Sequence, residues 1–211
     1  MAEHDRQTTD VLETTYARLA PVYDFIYGVG LHHGRVRALK RMALQPGESV
    51  LEIGVGTGLS AVRYPRTCRV AAIDLSAPML TRAKRRLQRR KMTHVTLCRM
   101  DASCLAFRDE HFDVVYAPYL INVVADPIAV AREMIRVCKR DGRLVFLNHF
   151  HDRSKAASAL DRTVGRVART VTGVSWDLDL ETFLTRCGLA AVSLDRVNVP
   201  RVSSVVVCPR P

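Results

Sequence analysis

An α/β fold built on a mostly parallel, doubly wound sheet follows from three features of the sequence. Short apolar runs alternate with amphipathic ones from residue 48 onward, a glycine-rich turn follows the first run directly, and acids stand at the ends of the next two. Ser49-Val50-Leu51-Glu52-Ile53 predicts the first strand, and Thr57 to Tyr64 a helix leaving the turn. Arg69 to Asp74 predicts the second strand. Ser76 then stands as a helix cap, with Pro78 near the first turn and Leu80, Ala83 and Leu87 on one face. Val95 to Arg99 and Phe112 to Tyr116 predict the third and fourth strands. Ile128 to Cys138 predicts a helix ended by Asp141-Gly142, and Arg143 to Asn148 the fifth strand. Val192 to Val197 and Ser203 to Val207 complete a seven-stranded sheet as an antiparallel pair joined near Pro200, with helices on both faces.

Two segments stand outside this alternation. Asp10 to Leu44 precedes the first strand, and its Leu12, Tyr16 and Leu19 share a helical face until Pro21. His151 to Gly173 follows the fifth strand, with Ala157, Leu160, Val164, Val167, Ala168 and Val171 at helical spacing and Arg162, Arg166 and Arg169 between them. Both are expected near the carboxyl edge of the sheet, where open α/β folds bind ligands. The chain then divides as one domain. Residues 1–45 form a helical cap, 46–150 the cofactor-binding core, 151–175 a helical insert, and 176–211 a C-terminal helix and strand pair.

A chain of 211 residues that is 48% hydrophobic suits a single folded domain and argues against disorder. Six cysteines at 68, 98, 104, 138, 187 and 208 show no Cys-x-x-Cys pair, which points to reduced thiols and away from a disulfide framework or a metal site. Met1 to Asp10 is polar, unlike a signal peptide, and no apolar run approaches the roughly 20 residues needed to span a bilayer. A cytoplasmic protein is expected. The net charge of +11 draws on Arg82–Lys91 and Arg153–Arg169. It suits an anionic lipid surface or nucleic acid, or a solvated helix face that binds neither.

The cofactor site is more specific. A strand followed by a glycine turn exposes backbone N–H groups that a ligand can approach without a side chain in the way. A dinucleotide fingerprint, Gly-x-Gly-x-x-Gly, requires glycine at 59; here Leu59 stands there, and the turn reads Gly54-x-Gly56-Thr57-Gly58 after Glu52. That disfavours a NAD-linked oxidoreductase. Asp74 ends the second strand about twenty residues on, placed for both ribose hydroxyls of an adenosine. Leu75 and Met79 can flank the adenine, Asp101 with Ala102 can meet its amino group, and Ala117 ends the fourth strand beside the reacting centre. In this order the features resemble the Rossmann-like class I S-adenosylmethionine-dependent methyltransferases over residues 48–148, which implies S-adenosylmethionine as cofactor, S-adenosylhomocysteine as product, and no metal.

Outside the cofactor motifs, Tyr-Ala-Arg-Leu-Ala-Pro-Val-Tyr-Asp (16–24), Val-Gly-Thr-Gly-Leu-Ser (55–60), Tyr-Leu-Ile-Asn-Val-Val-Ala-Asp-Pro (119–127) and Asn-His-Phe (148–150) resemble the soluble bacterial phosphatidylethanolamine N-methyltransferases. Quinone ring methyltransferases share the Tyr-Asp entry and the glycine turn. The resemblance implies a phospholipid substrate at the anionic inner face of a membrane, with residues 153–171 docking through charge and Tyr16, Phe25, Ile26 and Tyr27 through apolar contact. A nucleic-acid substrate is not expected. After the fourth strand, Tyr116-Ala117-Pro118-Tyr119 matches only the last two residues of the Asn/Asp-Pro-Pro-Tyr run of base-amine enzymes, and no Pro-Cys nucleophile is present.

An amine headgroup must lose a proton before it attacks, and His149 and His151 are the titratable candidates beyond the fifth strand. Tyr23, Tyr119 and Asp24 are placed to orient the amine, and aromatic rings suit methylated ammonium products. Asn122 and Asn148 are candidates for headgroup hydrogen bonds, and Arg153 for its phosphate.

Overall fold

Ser49–Ile53 forms β1 at the centre of the sheet in a computed structural model that describes residues 31–150, 178–198 and 203–211. Every residue of β1 is buried, which explains why this run reads as continuous instead of alternating. β2 (Arg69–Asp74) and β3 (Val95–Arg99) lie on one side of it. β4 (Phe112–Pro118), β5 (Cys138–Asn148), β7 (Ser203–Pro209) and β6 (Ser193–Val197) lie on the other, in the order β3-β2-β1-β4-β5-β7-β6. The first five strands pair in parallel, and β7 runs antiparallel to both β5 and β6. The chain reverses direction of travel across the sheet between β1 and β4, and a crevice at the carboxyl ends of those strands is where such sheets bind ligands.

Successive strand residues face two different cores. Val50, Val114, Tyr116, Val145 and Leu147 pack with Ala38 and Met42 of α1 (His32–Met42) and Leu87 of α2 (Ala77–Arg89). Leu51, Val115, Leu144 and Phe146 pack with Met134 of α3 (Pro127–Val137) and Phe183 of α4 (Leu180–Cys187). The expected seven-stranded sheet with helices on both faces is therefore observed. Each helix after the first starts where a side chain accepts an orphan backbone N–H: Ser76 from Met79, Asp126 from Ile128 and Ala129, and Asp179 from Thr182. Arg37 and Arg41 of α1 both reach Asp195 of β6 at 2.6 Å, tying α1 to the far edge of the sheet.

Two local expectations are corrected. Residues 57–64 form turns and a single 3-10 turn at Ala61–Arg63, not a helix, because Gly58 (φ +81°) sits in the left-handed region that a right-handed helix excludes. The helix expected over Ile128–Cys138 ends at Val137, and Cys138 already pairs with Phe112, so Asp141-Gly142 lies within β5. A Cβ on Gly142 would stand 2.7 Å from Cys138 Sγ and 2.9 Å from the Asp113 carbonyl, which is why this irregular pairing needs a glycine. All six cysteines are free, and Cys104 is exposed. No helix among the described residues is long and apolar enough to cross a membrane.

Candidate cofactor and acceptor site

The glycine turn is held by its neighbours on three sides. The N–H groups of Gly54 and Val55 both donate to the Ile73 carbonyl at the end of β2 (2.8 and 2.9 Å). A Cβ on Gly58 would meet Ala83 Cα and Cβ at 3.2 Å, so the turn lies directly against α2. From the same helix, Arg86 donates to both the carbonyl and the hydroxyl of Thr57. A Cβ on Gly56 would meet nothing within 4 Å. The turn is thus packed behind and open in front at Gly56, where a ligand can lie against the backbone without a side chain in the way.

Asp74 stands beside it. One carboxylate oxygen accepts the Gly56 N–H (2.8 Å) and the other the Ser76 N–H (2.9 Å). Burial pushes this carboxyl above the ordinary range, opposed by the N–H groups of Ser76, Gly56 and Leu75. Next to it, Leu75 is 48% exposed and Met79 is buried. Asp101 is exposed and accepts both the backbone N–H and the hydroxyl of Ser103 (2.8 and 2.7 Å), and Ala102 follows half-buried. Ala117 is fully buried within the core shared with α3.

Glu52 closes the back of the turn. It pairs in register with Ala72 and Tyr116, is 1% exposed, and its Oε2 has no hydrogen-bond partner. Burial lifts its carboxyl to about 7, against the lowering influence of Tyr64, Arg35 and Ser60. The hydroxyls of Ser60, Tyr64 and Tyr116 are also buried without partners, and burial pushes both phenols well above their ordinary range. A desolvated acid behind an open glycine turn fits S-adenosylmethionine, whose methionyl ammonium is a cation of opposite charge and whose ribose suits Asp74. Of this group, Glu52 stands in the glycine-turn motif and Arg86 in the basic run Arg82–Lys91, whereas Tyr64 and Arg35 carry no functional signal in the sequence.

The acceptor candidates converge at the ends of β4 and β5. Tyr119 takes φ +55°, unusual for a residue other than glycine, and its N–H donates to Leu147 O at 2.5 Å. Its ring lies 5.5 Å from that of His149, with the Arg35 guanidinium 5.0 Å from its centroid. Burial raises its phenol above the ordinary range. Asn122 donates to the His149 carbonyl (2.6 Å), and His149 Nδ1 lies 3.0 Å from Ser203 Oγ. Asn148 is completely buried, and neither atom of its amide has a partner. Asn198, just past β6, joins Gly34, Tyr119 and Ser203. Tyr16, Tyr23, Asp24, Tyr27, His151 and Arg153, with the expected docking segments, lie outside the described residues.

A family model described as "Methyltransferase domain" matches residues 51–146. A phosphatidylethanolamine N-methyltransferase of Cereibacter sphaeroides is 37% identical over 163 residues, which cover 77% of this chain and 79% of that protein. A demethylmenaquinone methyltransferase of Alkalihalophilus pseudofirmus is 30% identical over 147 residues, 68% of this chain and 62% of that protein, so less than two thirds of its length is spanned. The solved structure of geranyl diphosphate C-methyltransferase from Streptomyces coelicolor, in complex with S-adenosyl-L-homocysteine, matches with a TM-score of 0.70 at 16% identity, over 83% of this chain and 80% of that one. That last likeness speaks for the fold.

Proposed function

The chain belongs to the class I S-adenosylmethionine-dependent methyltransferases, and we propose that it methylates the amine headgroup of phosphatidylethanolamine at an anionic membrane surface. The observation that carries the acceptor class is the 37% identity to a phosphatidylethanolamine N-methyltransferase, which extends well beyond the cofactor motifs. Ring methylation of a quinone is the second reading, favoured by the demethylmenaquinone relatives.

Charge supports the surface. Residues 53–100 hold 11 of the 32 Lys and Arg and only one of the 21 acids, Asp74, so nearly all of the net +11 resides in this part of the fold. Arg66, Lys84, Arg85, Arg89, Arg90 and Lys91 are exposed there, along α2 and the loops beside the β3 edge. Arg66 bonds the Lys91 carbonyl at 2.8 Å, which joins the loop before β2 to the end of α2 in one basic flank. Each such cation near an anionic leaflet contributes about 1 kcal/mol.

When bound, S-adenosylmethionine supplies an electrophilic methyl on a sulfonium, and the chain's own residues supply placement. Asp74 and the Gly54–Gly58 turn hold the adenosyl and methionyl parts, and Glu52 offsets the ammonium. Tyr119, His149, Asn122 and Asn148 form the wall from which an acceptor is oriented, and the arginine-backed Tyr119 ring presents an apolar face. The amine must arrive neutral, so its proton leaves before attack.

Incubation with methyl-labelled S-adenosylmethionine and total bacterial lipid, followed by thin-layer separation, tests the proposal. Label in mono-, di- or trimethylated ethanolamine lipid is the expected result. Label confined to a quinone fraction overturns it.

A further inference from the structure

Asn198 sits at the end of β6 with φ +70° and 5% exposure, a position where a non-glycine residue is held by its contacts. Its Oδ1 accepts the N–H of Gly34 in α1 at 2.9 Å. Its Nδ2 donates to the Tyr119 hydroxyl at 3.1 Å and to Ser203 Oγ at 2.8 Å. Ser203, fully buried, lies 3.0 Å from His149 Nδ1. The Tyr119 hydroxyl in turn donates to the Leu31 carbonyl at 3.4 Å. A Cβ on Gly34 would stand 2.6 Å from that hydroxyl and 3.0 Å from Asn198 Oδ1, so α1 can approach only because residue 34 is a glycine.

The direction of each hydrogen bond in this chain is fixed by its first donor. A backbone N–H cannot accept, so the amide atom facing Gly34 is the oxygen and the other is the NH2 group. That group can only donate, so Ser203 Oγ accepts from it. With the single hydroxyl hydrogen of Ser203 directed at His149 Nδ1, that nitrogen offers a lone pair. In the uncharged imidazole the ring hydrogen therefore resides on Nε2. The reverse polarity, with His149 donating and the Ser203 hydrogen turned toward Tyr119, asks a phenol oxygen already taking a bond from Asn198 to accept a second.

We propose that Asn198 is a positioning residue of the acceptor site, holding the Tyr119 hydroxyl directly and, through Ser203, fixing His149 as its Nε2–H tautomer. The proposal rests on the reading of Tyr119 and His149 as acceptor-site residues. Its chemical consequence is specific. His149 presents a hydrogen-bond donor at Nε2, so the proton lost by the amine does not enter the ring at that nitrogen.

Nitrogen-15 NMR of the histidine-labelled full chain reads the tautomer without any substrate. The expected spectrum shows His149 with its hydrogen on Nε2 and a hydrogen-bonded lone pair on Nδ1; hydrogen on Nδ1 overturns the assignment. Ser203→Ala removes the donor and is expected to leave a mixture of tautomers, while an unchanged spectrum overturns the role of the hydroxyl. In the methylation assay, Asn198→Leu is expected to lower kcat at least tenfold, with less than a twofold change in S-adenosylhomocysteine affinity. His149→Gln, which keeps a donor near the Nε2 position, is expected to exceed His149→Ala at least fivefold. Equal loss in the two His149 variants overturns the donor role. Should the tautomer be as assigned while both His149 variants keep wild-type turnover, the positioning role falls through its acceptor-site premise, not through the hydrogen-bond chain.

Discussion

Replacing Glu52 by Gln separates what this carboxylate does for folding from what it does for the cofactor. Burial lifts the Glu52 carboxyl to about 7 from an ordinary 4.5. The folded chain thus holds this proton more tightly than the unfolded chain does. Stability from this residue is complete below pH 4.5 and is lost as pH rises toward 7, because an ionised carboxylate must then stay 1% exposed with Oε2 unpartnered. Between about 7 and 4.5 the loss amounts to about 3 kcal/mol. Gln has the same shape and no charge, and the surrounding hydroxyls of Ser60, Tyr64 and Tyr116 can accept from its amide. The variant should match wild type near pH 4.5 and melt higher by about 10 °C above pH 7, taking 2–4 °C per kcal/mol for a domain of this size. At pH 8 its affinity for S-adenosylmethionine should fall at least tenfold, since the cation loses its counter-charge. Thermal melts from pH 4.5 to 8.5 and isothermal titration at pH 8 read both. Melting curves that stay parallel across this range would refute the assignment of a desolvated, titrating Glu52.

Three further outcomes are expected. Gly58→Ala puts a Cβ 3.2 Å from Ala83 at φ +81° and should destabilise by about 2 kcal/mol, while Gly56→Ala meets open space and should cost only about 1 kcal/mol of backbone strain; chemical denaturation checks the difference, and cofactor titration should show the Gly56 variant impaired despite its milder fold. Asn148→Leu removes a buried amide with no partner and should raise stability by about 1–2 kcal/mol while lowering methylation of phosphatidylethanolamine, measured by denaturation and by turnover. Neutralising Arg85, Arg89 and Arg90 together should weaken partition onto anionic vesicles by up to about 3 kcal/mol and leave S-adenosylhomocysteine binding unchanged, read by co-sedimentation and titration.

The sheet was legible because burial on both faces leaves a plain mark: β1, β2 and β4 are short, continuous apolar runs bounded by turns, and Asp74 falls where a parallel strand must end. The helix expected over 57–64 failed for a local reason. Its apolar spacing is compatible with a helix, but its one glycine, Gly58, takes a left-handed backbone angle that only the folded turn reveals. Arg86 was hidden inside the run Arg82–Lys91, where seven cations look alike until α2 turns this one back to Thr57. Asn198 and Gly34 were beyond pattern reading altogether. Each is unremarkable in its own neighbourhood, and their meaning comes from a contact across 164 residues of sequence. Short-range periodicity carries the fold, whereas the polar wiring of a site is non-local and reports only when the chain has closed.

One competition decides most directly whether this site is built for a lipid amine. Phosphatidylethanolamine and demethylmenaquinone are offered together at equal concentration in the same anionic vesicles, with labelled S-adenosylmethionine limiting, and the label is partitioned between the two products. The account predicts at least a hundredfold preference for the amine headgroup, diminished by Tyr119→Ala and by Asn198→Leu. Preferential label in the quinone, or equal label in both, contradicts it.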